Sequence, residues 1–323
     1  MYKSLYTLCI AAVLLLSPAS GGCSGASAQD LRPYERLLQQ ADMQRDLEYI
    51  ASDEVEGRES GSPGRMMVER YIVGRFKALG LKPWNWSYTQ SVPLSDSVVM
   101  RNVVGWIPAV RPSDEYIIIG AHYDHIGKLA GRIYNGADDN ASGVTVMLSL
   151  AQLFSAMKAD GAGPRKNLIF IAFDGKEHNL GGSTYFVRTL EIPRKQITCA
   201  VNMDMIGTHL VPPGVNDSYM FALGENTLKE CYRGYLEYIC RKPLYKMDLD
   251  LTFYGSRNFY QMMYETSDQH PFVRAGIPAV LFTSAFHEHT YRPTDDVDII
   301  DFPLLRRRTL VIFNFVARLC RDE

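Results

Sequence analysis

Two short runs in this 323-residue chain, Tyr116-Ile117-Ile118-Ile119 and Leu168-Ile169-Phe170-Ile171, are apolar at every position. A strand with one wet face alternates polar and apolar residues. Unbroken β-branched and aromatic runs therefore belong to strands covered on both faces, as at the centre of a helix-covered sheet. Further β-rich runs occur at 101–106, 200–203 and 279–282, with helical stretches at 143–157, 183–190, 228–241 and 304–319. Alternating strand and helix predicts an α/β fold. Upstream, Leu37, Leu38, Met43, Leu47 and Ile50 follow helical spacing, as do Val68, Tyr71, Ile72, Phe76 and Leu79, on either side of a Gly/Ser loop at 56–64. No composition shift, linker or repeat divides the chain, so residues 29–323 are read as a single domain.

Residues 1–28 read as a secretory or lipoprotein leader. Lys3 precedes an apolar run over residues 5–16, too short to span a bilayer, and then a small-residue stretch ending in Cys23. Cleavage after Ala28 gives a soluble form, and cleavage before Cys23 gives a lipid anchor there. The mature chain is expected to be exported, periplasmic or lipid-anchored to the cell envelope, with no other membrane contact. Cys199, Cys231, Cys240 and Cys320 then remain; they have no framework spacing and read mostly as buried free thiols, with a Cys231–Cys240 pair left open. The 34 Lys and Arg against 36 Asp and Glu form no basic block, which argues against a nucleic-acid partner.

The predicted strands end in acid and imidazole. Ala121-His122-Tyr123-Asp124-His125 follows the first apolar run, Asp174-Gly175-Lys176-Glu177-His178 the second, and Asp204 the run at 200–203. Ligands in open α/β sheets gather beyond the carboxyl ends of strands, so these groups point to one site. In His122-x-Asp124 alternation puts both side chains on one face, where Asp124 can hold the imidazole's second N–H while His122 binds a metal. Asn135-Gly136-Ala137-Asp138-Asp139-Asn140-Ala141-Ser142-Gly143 sets two carboxylates before a helix start, with Asn140 or Ser142 as its cap.

These segments, with Asn202-Met203-Asp204-Met205-Ile206-Gly207, Ser267-Asp268-Gln269-His270-Pro271-Phe272 and Ala275-Gly276-Ile277-Pro278-Ala279, resemble the M28 zinc peptidases in order and spacing. The resemblance implies a mixed, mostly parallel central sheet sandwiched by helices and a pair of zinc ions bridged by one carboxylate. It assigns the bridge to Asp138, with a cis peptide between Asp138 and Asp139. It gives His122 and Asp204 to one ion, Glu177 to the other, and the orientation of His122 to Asp124.

Two positions depart from that pattern. Where the family has adjacent glutamates, the first a general base, this chain has Lys176-Glu177, and a protonated lysine accepts no proton. Where the family has its last metal-binding histidine, two residues before a proline, this chain has Tyr291; His289 reaches the metal only with a shifted loop, and His287 and His289 read more simply as loop residues. A unit charge 4 Å from a dication costs roughly 8 kcal/mol at an effective dielectric of about 20, so a charged Lys176 disfavours a second ion. One zinc, rather than two, is the expectation. His178 is the substitute base, while His125 and His270 read as hydrogen-bonding neighbours. The leading function is an exported metallohydrolase of aminopeptidase type acting on peptides or small amides. A metal- or peptide-binding pseudoenzyme is the alternative. A glutaminyl cyclase is disfavoured, because the late histidine that this resemblance gives its single zinc is here Tyr291.

Overall fold

The computed structural model describes residues 29–93, 98–209 and 218–321, and the expected leader lies outside them. Its strands are β1 (Lys82–Pro83), β2 (Thr89–Pro93), β3 (Val99–Ile107), β4 (Tyr116–His122), β5 (Gly127–Leu129), β6 (Arg132–Tyr134), β7 (Asn167–Phe173), β8 (Ile197–Met203), β9 (Tyr219–Leu223), β10 (Asp248–Asp250) and β11 (Ala279–Thr283). One sheet runs β1-β3-β7-β4-β8-β11-β9-β10, with β2 also on β3, while β5 and β6 form a separate hairpin. The sheet is mixed and mostly parallel through its centre: β7, β4, β8 and β11 run one way, and β3 and β9 flank them antiparallel.

The helices are α1 (Arg32–Glu35), α2 (Gln40–Ile50), α3 (Pro63–Ala78), α4 (Gly143–Ala159), α5 (Gly181–Arg188), α6 (Glu230–Cys240), α7 (Arg257–Glu265), α8 (His270–Arg274) and α9 (Phe302–Leu319). Alternation along β4 splits its isoleucines between the two faces. Ile117 and Ile119 pack with Val144, Leu148, Phe313 and other residues of α2, α3, α4, α6 and α9, whereas Ile118 packs with Phe186 of α5 and Phe272 of α8. Each such fully buried side chain contributes about 1.5–3 kcal/mol, which is why these runs tolerate no polar residue.

Local chemistry sets the helix starts that matter for the site. Ser62 accepts the Arg65 amide at 3.1 Å with Pro63 in the first turn, Asn140 Oδ1 accepts the Gly143 amide at 3.0 Å, and Asp301 accepts that of Leu304 at 2.9 Å. Gly143 is required where α4 meets β8, since a Cβ there would lie 2.6 Å from the Met203 carbonyl oxygen.

The predicted strands and helices are present, with ends shifted by a few residues. β9, β10, the short β1 and β2, the hairpin, α1, α7 and α8 were not anticipated. Cys199, Cys240 and Cys320 are buried free thiols, so Cys240 does not pair with Cys231. Among the described residues no helix is long and apolar enough to cross a membrane.

Candidate metal centre

The parallel strands bring their carboxyl ends to one edge. His122 closes β4, Lys176 and Glu177 lie just beyond β7, and Asp204 follows β8. All are buried or half-buried. His122 Nδ1 lies 3.1 Å from the Asp124 carbonyl oxygen and 3.7 Å from its carboxylate. The carbonyl can only accept, so Nδ1 carries the hydrogen and Nε2 is the nitrogen turned toward the carboxylates. That nitrogen sits 3.3 Å from Asp139 Oδ1 and 3.3 Å from Asp204 Oδ1.

The orienting role expected of the Asp124 carboxylate belongs mainly to its backbone. The carboxylate instead accepts the amides of Lys176 at 3.1 Å and Glu177 at 3.2 Å, tying the end of β4 to the loop after β7.

The carboxylate that faces His122 lies one residue later than expected. Asp138 is turned away: its carboxylate accepts the Gly207 amide at 2.6 Å, and its Oδ2 meets His287 Nε2 at 3.1 Å and the Thr208 hydroxyl at 3.3 Å. Asp139 is the residue that faces His122, and it is also within 4.8 Å of His125 and Glu177. The cis peptide is Asp139–Asn140, not Asp138–Asp139. The physical cause is the turn itself. Asp295 Oδ1 accepts the Asp138 amide at 2.8 Å and Oδ2 the Asp139 amide at 3.0 Å, while Asn140 is held by the Gly143 amide, the Met205 amide and the Met203 carbonyl, so consecutive side chains leave in opposite directions.

Lys176 points into the cluster. Its Nζ donates to Glu177 Oε1 at 2.9 Å, to Asp139 Oδ1 at 3.4 Å and to the Tyr291 hydroxyl at 3.1 Å, with 8% of its side chain exposed. Burial works against this charge, but Asp139, Asp204 and Glu177 outweigh it and hold the ammonium well above the usual lysine range. Burial likewise opposes ionisation of Asp139, and Lys176 and His122 overcome it, keeping that carboxylate well below its usual range. Tyr291 stacks on His125 with ring centres 6.3 Å apart. Contrary to its expected role as a hydrogen-bonding neighbour, His125 has no hydrogen-bond partner among the described residues at either ring nitrogen, and burial pushes its imidazole down to about 3.

The remaining candidates stand apart. His289 Nδ1 is engaged by Thr294 at 2.9 Å, and among the described residues the ring joins neither group of converging ligand atoms. His178 is half-buried, and among the described residues its ring has no hydrogen bond or ion pair with the cluster. The residue that sequence reasoning missed is Arg58. Fully buried, it donates to the carbonyls of Tyr123 at 2.8 Å, Gly136 at 2.7 Å, Ile50 and Asp139 at 3.3 Å each, and Asn135. Beside it, Gly57 has φ of +69°, and a Cβ there would lie 2.5 Å from the Gly127 and Tyr134 carbonyl oxygens.

The donor set fits zinc. Two ligand atoms about 2.0–2.1 Å from a tetrahedral zinc are about 3.3–3.4 Å apart. The nitrogen of His122 stands at that separation from each carboxylate oxygen. The imidazole and two carboxylates are donors of the type zinc takes, and Ser267 fixes the other oxygen of Asp204 at 2.6 Å.

Over 129 residues the chain is 29% identical to a probable zinc metalloprotease of Pyrenophora tritici-repentis, a match covering 39% of this chain and 29% of that protein. The chain thus spans under a third of the length of such curated relatives. The crystal structure of the Legionella pneumophila LapA aminopeptidase superposes with a TM-score of 0.71 at 17% identity, covering 93% of this chain and 77% of that one. Porphyromonas gingivalis glutaminyl cyclase superposes with a TM-score of 0.63 at 16% identity, covering 87% and 98%. Both likenesses show the shared fold. The sequence profile of peptidase family M28 matches residues 102–316, about two thirds of the chain and the whole span from β3 to α9 that carries the ligand cluster, and the chain belongs to that family.

Proposed function

We propose that this protein is an exported metallohydrolase that cleaves peptide or small amide bonds in the manner of an aminopeptidase, with one tightly held zinc. The observation that carries the reading is the convergence of His122 Nε2, Asp139 Oδ1 and Asp204 Oδ1. Zinc held there would supply Lewis-acid polarisation of the scissile carbonyl and a lowered pKa for water. The protein's own residues do the rest. Asp124 fixes the tautomer of His122, Ser267 fixes Asp204, and the Asp295 carboxylate and Arg58 guanidinium hold the backbone on which Asp139 is presented.

The single ion is supported by Lys176. Its ammonium lies on Asp139, Glu177 and Tyr291, the groups at or nearest the positions where the family holds its second ion. A charged lysine accepts no proton, so proton transfer to the leaving amine falls to Glu177, whose Oε1 is 2.9 Å from Nζ. The same ion pair favours a second reading, a metal-binding pseudoenzyme. A panel of aminoacyl chromogenic substrates separates the two, with zinc content measured alongside. Hydrolysis that is lost with chelator and in Asp139→Ala supports the enzyme. A purified chain with one zinc and no turnover supports the pseudoenzyme, and turnover unchanged in Asp139→Ala would defeat the assignment of the centre. Pyroglutamyl product from a Gln-initial peptide would instead establish a cyclase.

A further inference from the structure

We infer that the cavity at the amino ends of β4 and β7 takes the phosphate headgroup of an anionic phospholipid and seats this end of the molecule on a membrane, with the metal centre turned outward. Such a seat goes beyond the proposed hydrolysis and stands without it.

Three observations carry it. The first is position. Arg111 lies between β3 and β4, Arg165 two residues before β7, and Arg321 just beyond α9. His122 and Glu177, by contrast, stand at the carboxyl ends of the same two strands. Each strand has seven residues, so at about 3.3 Å per residue the cavity and the metal centre are about 20 Å apart. Gln29 also lines the cavity, and its side-chain amide donates to the Ala162 carbonyl at 3.2 Å. Cys23, where the lipoprotein reading places the acyl chain, is six residues earlier in the sequence, at most about 20 Å away along an extended chain. An anchor there brings the leaflet to this end.

The second is charge. Arg111, Arg165 and Arg321 line the cavity, and among the described residues no Asp or Glu does. The acids nearest in sequence to Arg111 and to the 161–165 turn, Asp114 and Asp160, are drawn to Gln196 and to the Tyr34 hydroxyl. Burial first, with Arg165 and Arg318 beside it, pushes the Arg321 guanidinium below its ordinary value, and an anion would relieve that crowding. Asp322 and Glu323 follow Arg321 in the sequence, so the weight falls on the exposed Arg111 and Arg165.

The third is shape. The cavity encloses about 690 Å³ over a floor of buried Phe154, Met157 and Cys320, with Val110, 38% exposed, at its rim. A guanidinium pairs with phosphate through two parallel N–H···O bonds. A free phosphate would leave the apolar floor and rim wet, whereas the glycerol and first methylenes of a lipid cover them.

The test uses the soluble mature form beginning at Gln29, without an acyl chain, sedimented with vesicles of phosphatidylcholine alone or mixed with phosphatidylglycerol. Binding is expected on the mixed vesicles only, and is lost as salt rises past about 0.5 M. Each arginine near an anionic leaflet changes partitioning about fivefold, so Arg111→Gln combined with Arg165→Gln should weaken binding about 25-fold. Arg70→Gln combined with Arg257→Gln removes the same charge from exposed positions on α3 and α7, and should weaken binding less than about threefold. Equal binding to both kinds of vesicle, or a loss in the second pair as large as in the first, would overturn the inference. Inorganic phosphate should displace the protein no better than chloride at equal ionic strength. Displacement specific to phosphate, with no gain from phosphatidylglycerol, would mean a soluble phosphate ligand and overturn it as well. Retained zinc should match the wild type in both pairs, and its absence from all three proteins would count against the metal centre alone.

Discussion

Arg58 makes the sharpest test of how the site is held. Replacing it with alanine removes a guanidinium that donates to five backbone carbonyls, those of Ile50, Tyr123, Asn135, Gly136 and Asp139. All five lose the arginine, and Gly136 keeps a second donor in the Ala141 amide at 3.2 Å, so the cost falls mainly on the other four. An orphaned buried acceptor costs about 1–3 kcal/mol, and relaxation with water entering the vacated volume offsets part of the sum. The net loss expected is about 3–5 kcal/mol, as for other buried charged groups whose partners are stranded. Burial lowers this guanidinium to about 10, so it remains charged at neutral pH and the donors persist there. A chain with about 5–15 kcal/mol of stability survives the change at 25 °C but unfolds at a lower urea concentration. Arg58→Lys should recover only part of the loss, because one ammonium has three donors and no fork to span carbonyls on both sides. Zinc affinity should fall about 10- to 100-fold in the folded Arg58→Lys variant, since Asp139 and Tyr123 carry or adjoin the ligands. An unfolding free energy from urea titration within about 1 kcal/mol of wild type for Arg58→Ala, with unchanged zinc retention, would refute this account.

Four other outcomes follow from the same geometry. Asp139→Asn should reduce retained zinc to below about a tenth of an equivalent, whereas Asp138→Asn should keep it and lose about 1–3 kcal/mol through its bonds to Gly207 and His287, both read by metal analysis and urea unfolding. If a residual activity is found, Glu177→Gln should lower kcat about 10²- to 10⁴-fold at unchanged zinc content. Burial lifts the Asp268 carboxyl to about 7. The protonated form is therefore native-like, and stability present near pH 4 declines toward pH 7 by up to about 4 kcal/mol. Asp268→Asn should flatten that slope in urea midpoints taken from pH 4 to 8. Lys176→Glu combined with Tyr291→His should raise retained zinc to two equivalents and create or raise peptidase activity, while either change alone should do less than half as much.

The fold was legible where burial leaves a direct mark on residue type. β4 and β7 are buried on both faces and therefore apolar throughout, and α9 carries its buried Leu304, Leu305, Val311, Ile312 and Phe315 at helical spacing. β9 was not legible: its five buried residues show no alternation, and its place in the sheet comes from antiparallel pairing with β11, nearly 60 residues later. The strand-end positions of His122, Glu177 and Asp204 could be read because a strand's end fixes where its next side chain emerges. Between Asp138 and Asp139 no such rule operates. Their directions depend on backbone torsions at Asp139 and Asn140, and on a carboxylate from Asp295, more than 150 residues away. Arg58 left no trace because all its partners are carbonyls, which every residue has.

Lys176 and Tyr291 are best understood as one electrostatic solution. A lysine 8% exposed ordinarily sheds its proton, because the ammonium loses hydration that the protein must replace. Here Asp139 and Glu177 replace it, and the Tyr291 hydroxyl accepts the remaining bond. A histidine at 291 would offer the lysine one lone pair only if its tautomer were fixed correctly. A hydroxyl rotates to suit, yet a neutral phenol is a poor ligand for zinc, and burial raises this one to about 12, further from the phenolate that zinc would bind. The same two residues that welcome an ammonium therefore penalise a second ion, and an ammonium 4 Å from a dication adds roughly 8 kcal/mol of gross repulsion at an effective dielectric of about 20. Restoring either family residue alone leaves the other working against it, so the pair must change together.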